Sequence, residues 1–159
     1  MTCRTDSCYM TGRQVMSQNR PDVLSRSVQE TDIWLQDLKK ELDLDTPEQA
    51  YGALRAVLHT LRDRITVDMA ASLSSQLPVM LTGIFFDGWK PADTPQKYHT
   101  AEEFLEHVRH HAVGHNELDV HQATRGVFHL LEQKLDQGQI NRVTDQLPNE
   151  IQSLWPKAA

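Results

Sequence analysis

The chain has 159 residues, enough for one domain with a real core. Apolar residues make up 39% and the net charge is −6, which argues against the clustered Lys and Arg of a nucleic-acid footprint. No run of about 18 or more apolar residues occurs, so no membrane span is predicted, and no apolar stretch follows the N-terminus as in a secretory signal; the expected setting is the cytosol.

Residues 1–27 are polar and lack a sustained apolar period, so they read as a flexible tail ahead of a single helical domain over 28–159. Cys3 and Cys8 fall in that tail, and two thiols with no second pair make a poor zinc site. Met10 and Met16 are alternative starts to Met1, and either would remove both cysteines. Thr31 suits a helix N-cap before Trp34, Leu35, Leu38 and Leu42, spaced by three and four. Thr46-Pro47-Glu48-Gln49 is a strong start signal, because Thr caps, Pro fits the first turn and Gln completes a capping box. The helix it opens carries Leu54, Val57, Leu58, Leu61 and Ile65 on one stripe. Thr66-Val67-Asp68 opens a short helix with Met69, Ala70 and Leu73; Pro78 starts another that ends near Gly88. After a proline-containing linker, Thr100–Glu103 is a capping box before Phe104, Leu105 and Val108. Asn116–Asp119 resembles a further one, before Val127, Phe128, Leu131 and Leu135. Gly138 separates the next short helix, and Pro148 starts the last.

The chain also resembles itself at an offset of 70 residues. Trp34 aligns with Phe104, "ALRAVLHTL" from Ala53 with "ATRGVFHLL" from Ala123, and Phe85 with Trp155. "QLP" occurs at 76–78 and again at 146–148, each time where a proline restarts the chain as a new helix. An internal repeat is therefore expected. The predicted fold is all-α, about eight helices in two four-helix repeats related by a pseudo-twofold: 32–89, a linker at 90–100, and 101–159.

The stretches "LRAVLHTLRDRITVDMAASLSSQLPVMLTGIFFDGWKP", "EFLEHV" and "QLPNEIQSLWP" resemble the bacterial domain of unknown function family 2267 (DUF2267). The resemblance spans roughly residues 32 to 157, and Gln-Leu-Pro followed by "FFDGW" is its most specific part. It implies a small bacterial helical protein and brings no activity, catalytic residue or cofactor. The histidine-rich "HVRHHAVGH" departs from the usual pattern of the family.

Three groups of residues are candidates for chemistry. Arg55 and His59 sit one helical turn apart, and Arg125 and His129 repeat the pair. They read either as a solvated face, with Arg stems covering the core edge, or as a polar seam or anion pocket where the repeats meet. His107 and His111 are spaced to share a metal, and their repeat counterparts are Asp37 and Glu41. If the first helices of the repeats packed on each other, the four would form a first-row metal set or pH-dependent surface ion pairs. Phe86 and Trp89 align with Pro156 and Ala159, so they either cover the gap between repeats or form an exposed aromatic surface. No GxSxG, catalytic Cys context or P-loop occurs, and the helix dipole accounts for Glu102, Glu103 and Glu106. The resulting expectation is a non-enzymatic interaction module without a cofactor, binding an unknown protein partner or itself. The alternative is a ligand- or metal-binding protein with its site between the repeats.

Overall fold

The computed structural model describes residues 20–156. The cysteines and the three candidate start methionines lie outside the described residues. Within them the chain is all-helical, with eight α-helices, one 3-10 turn at Pro91–Asp93 and no strand. The helices are α1 (Asp22–Glu41), α2 (Pro47–Arg64), α3 (Val67–Ser74), α4 (Val79–Phe86), α5 (Ala101–His111), α6 (Val120–Lys134), α7 (Gln137–Asp145) and α8 (Asn149–Gln152).

Helix α1 begins at Asp22, inside the segment expected to be tail, and Thr31 is an interior residue rather than its cap. Thr31 is buried and donates to the Ser27 carbonyl one turn back. The extra turns have a structural reason. The N-cap of α4 is Pro78, which offers no side-chain acceptor, and Ser27 Oγ accepts from the Met80 N–H at 2.8 Å instead. The start of α1 therefore completes the start of α4.

Helix α2 is the centre of the bundle, touching α1, α4, α5 and α6. Its capping box forms as expected from Thr46 and Gln49. Its burial is not confined to one stripe, since small residues (Ala50, Gly52, Ala53, Ala56) let neighbours approach on the remaining faces. The imidazole of His115 lies so close over Gly52 that a Cβ there would stand 2.4 Å from it. The side chain of Leu42 sits on Gly126 of α6 in the same way, at 2.5 Å. Helix α5 opens with the Thr100/Glu103 capping box. Helix α6 starts at Asp119, three residues later than the Asn116 signal suggested. Its carboxylate accepts from His121 and Gln122, while 115–118 is taken up by turns bonded to Ala112 and His115.

The short helices make two reciprocal contacts. Gln76 Oε1 accepts from the N–H of Asp136, the N-cap of α7, at 3.1 Å. Gln146 Oε1 accepts from the N–H of Thr66, the N-cap of α3, at 3.2 Å. Each Gln of a "QLP" thus serves the short helix of the other half. The corners themselves are pinned alike: Thr82 Oγ1 donates to the carbonyl of Ser74, and Gln152 Nε2 to that of Thr144, both at 2.9 Å. Replacing Gln76 or Gln146 by Ala should lower stability by about 1 kcal/mol each. The losses should add, since the two bonds share no atoms; urea denaturation of the single and double variants measures both.

Candidate functional site

The largest group of buried polar side chains lies on the C-terminal half of α2, where His59, Thr60, Arg62 and Asp63 are all buried. Burial there obliges each to find a partner. Arg62, 3% exposed, donates to the carbonyls of Phe85 and Asp87, both at 2.9 Å, and through Nε to Asp63 at 2.8 Å. His59 Nε2 donates to the Ile84 carbonyl at 2.6 Å, which sets its tautomer. Arg55 pairs with Asp87 at 3.1 Å. Three cation-type side chains of one helix therefore gather the last carbonyls and following carboxylate of α4, where the dipole favours positive charge. The linker is laid over the same end of α2. Gln96 N–H donates to the Asp63 carbonyl, Arg64 to the Tyr98 carbonyl, and the Tyr98 hydroxyl to the Thr60 carbonyl.

From α5, His111 reaches the cluster. Its Nε2 is 3.5 Å from Asp63 Oδ2, and its ring meets that of His59 edge-on at 5.7 Å. His107 stacks on Tyr98, with centroids 4.4 Å apart. Burial alone would raise the Asp63 carboxyl, but bonds from His111 and Arg62 outweigh it and hold it below the usual carboxylate range. Burial lowers His59 to about 4; the bond to Ile84 opposes this, while Arg62, Arg55 and His111 add to it. Burial, then His111, lowers His107 as well.

The four residues expected to share a metal are not brought together. Asp37 pairs with Lys134 at 2.7 Å and Glu41 with His129 at 3.0 Å, both across α1 and α6. His107 and His111 face the linker and α2. Helices α1 and α5 each pack on both long helices, α2 and α6, rather than chiefly on each other, so their carboxylates and imidazoles are not aligned. Among the described residues no group of three or more His, Cys, Asp or Glu is placed to hold a metal ion. Nor do Arg55, His59, Arg125 and His129 form one seam: no hydrogen bond or ion pair among the described residues joins the first two to the last two. His59, which one of the two readings placed on a solvated face, is buried because α4 and the tip of α5 cover it.

Phe86 and Trp89 are half-buried against the core, with rings 4.9 Å apart and the Trp89 indole N–H buried without a partner. The exposed large apolar side chains include Leu24, Val79 and Met80 instead. With Ser27, Val28 and Arg20 these line a groove of about 280 Å³ between the starts of α1 and α4. Sequence reasoning passed over it, although a signal was available: at the 70-residue offset Val79 and Met80 align with Asn149 and Glu150.

The family model of an uncharacterized conserved protein, DUF2267, matches residues 31–154. The chain belongs to this family. None of the curated proteins matches it. The DUF2267 region covers all eight helices except the first nine residues of α1, so one wall of the apolar groove, with Leu24 and Val28, stands outside it. Among the described residues no helix is long and apolar enough to cross a membrane.

Two predictions test the cluster. Arg62→Ala should cost about 3 kcal/mol or more, since it strands two carbonyls and Asp63 in the interior. Arg55→Ala, at a part-exposed pair, should cost about 1 kcal/mol or less; guanidinium denaturation separates the two. The second prediction concerns pH. His59 is neutral in the fold, so its contribution is complete above its unfolded value of 6.5 and is lost as the pH falls toward 4. Urea midpoints at pH 7 and 4.5 should differ by on the order of 2–3 kcal/mol in unfolding free energy from this group.

Proposed function

We propose that the protein is a non-enzymatic interaction module, two four-helix repeats related by a pseudo-twofold, that binds an aliphatic segment of a partner protein in the groove between α1 and α4. The pseudo-twofold is supported by contacts that recur at the 70-residue offset: Gln76 to Asp136 with Gln146 to Thr66, and Glu41 to His129 with His111 against His59. The absence of an enzymatic role is the reading that fits the polar cluster, whose donors end on backbone carbonyls and a carboxylate of the protein itself. The setting is taken to be the bacterial cytosol: bacterial as the family resemblance implied, and cytosolic because the sequence shows no apolar span or signal-like stretch.

The observation that carries the binding surface is an internal comparison. Where the first repeat exposes Val79 and Met80, the second has Asn149 and Glu150 in the same corner, and Glu150 accepts from the Ala101 N–H. The corner therefore folds with polar residues, and the apolar pair is not required by the architecture. An aliphatic floor with Arg20 at its rim suits a segment carrying aliphatic side chains beside a carboxylate. The double change Val79→Asn with Met80→Glu installs the residues of the second repeat. It should leave the melting temperature within about a degree or two, as surface substitutions do, and abolish cross-linking to a partner that the unaltered chain captures. Identical cross-linked proteins would overturn the surface, and so would a fall of many degrees in melting temperature, which would make the pair core cover. Sedimentation of both forms tells a second copy of the chain from a foreign partner.

A further inference from the structure

The two contacts between a first helix and the opposite long helix differ in charge. Across α1 and α6 they are Asp37 with Lys134 and Glu41 with His129, a pair of opposites that a proton on His129 strengthens. Across α5 and α2 the corresponding positions are His107 over Tyr98, itself under the Arg64 guanidinium, and His111 against His59. His115, just past α5, rests on Gly52 of the same helix. His111 and His115 thus seat the end of α5 on α2, and His107 seats it on the linker.

Every charge facing His59 can be named. Its own helix brings Arg55 and Arg62, both cationic, and Asp63, already bonded to Arg62. Helix α5 brings His111. Helix α4 has no ionisable side chain and brings the Ile84 carbonyl, and Asp87 beyond it is held by Arg55. The one carboxylate close at hand, Asp63, is thus shared by Arg62 and His111.

We propose that His59 is a proton-sensitive wedge: uncharged, it allows the end of α5 to seat on α2, and charged, it unseats that end together with the loop to Asp119 while the α1–α6 contact holds. The loop is built to move as a unit. Gly114 takes a positive φ of 87°, Val113 is 84% exposed, and the internal bonds of 112–118 are short-range turns. Unseating would withdraw His115 from Gly52, so the device would bare that face of α2 in acid. A proton bound at about 4 in the seated state and at 6.5 once fully free sets an upper bound of roughly thirtyfold on how much easier opening becomes at pH 5 than at pH 7.5, since Arg55, Arg62 and the Ile84 carbonyl stay beside His59.

Hydrogen exchange of the full chain at pH 7.5 and 5.0, corrected for the intrinsic pH dependence of exchange, tests this. The amides of Ala112, His115 and Leu118 should open with a free energy below that of global unfolding, and their opening constant should rise by up to about thirtyfold at the lower pH. His59→Gln, neutral at both values and still able to donate to Ile84, should abolish the rise. The proposal is overturned if the 112–118 amides exchange only by global unfolding, with the same opening free energy as the amides of α6, if they do not respond to pH, or if His59→Gln responds like the unaltered chain. Should that variant fail to fold, NMR titration of the His59 imidazole in the unaltered chain decides. A midpoint near 4 accompanied by release of the loop amides supports the wedge, and a midpoint near 6.5 with the loop amides unmoved overturns it.

Discussion

A stretch of helix with no solvent face has no water to satisfy its polar groups. That constraint on the C-terminal half of α2 organises the molecule. The His59 imidazole, Thr60 hydroxyl, Arg62 guanidinium and Asp63 carboxylate must all be bonded by protein. The partners available are the frayed end of α4, the linker, and the tip of α5. The three segments least able to hold themselves in place are therefore fixed by the helix most in need of them. Arg suits this work better than Lys, since one planar guanidinium reaches two carbonyls and a carboxylate at once.

The same constraint explains why the histidines of the two halves behave differently. His129 sits part-exposed at the bundle edge, 3.0 Å from Glu41. His59 occupies the matching place on α2, and burial makes one state much better than the other. One residue type at one position of a repeated pattern is a surface partner in one half and a buried constraint in the other. The difference comes from which long helix lies inside.

Local start signals were the most legible part of the sequence. Thr46/Gln49 and Thr100/Glu103 work through bonds within four residues, so no tertiary knowledge is needed to read them. The signals that misled were the ones tertiary contacts override. Thr31 looked like a cap because the apolar period starts after it, but α4 needs Ser27, and that extends α1 backward. Asn116 looked like a cap because Asn116–Asp119 has the spacing of a capping box, yet the loop over Gly52 consumes those residues. The candidate site was legible as residues and not as partners. Arg55 and His59 stood out, whereas Arg62 and Asp63 did not, because nothing in a helical period reveals that the polar face is also inside. The expected metal set failed on pairing alone: the sequence offset aligned the first helices with each other, and the fold packs each on both long helices.

The exchanged glutamines have a kinetic side. Gln76 and Asp136 are 60 residues apart, and Gln146 and Thr66 are 80. Neither short helix has its cap completed until the other half has arrived, so the corner closes as one event spanning most of the chain. Helical proteins usually fold fast because their contacts are local. Here the closing contacts are remote, and the loop entropy must be met before they form. A chain cut at the linker would leave each half with an orphan N–H at its short helix and one face of its long helix bare. Such halves are built to recombine rather than to stand alone.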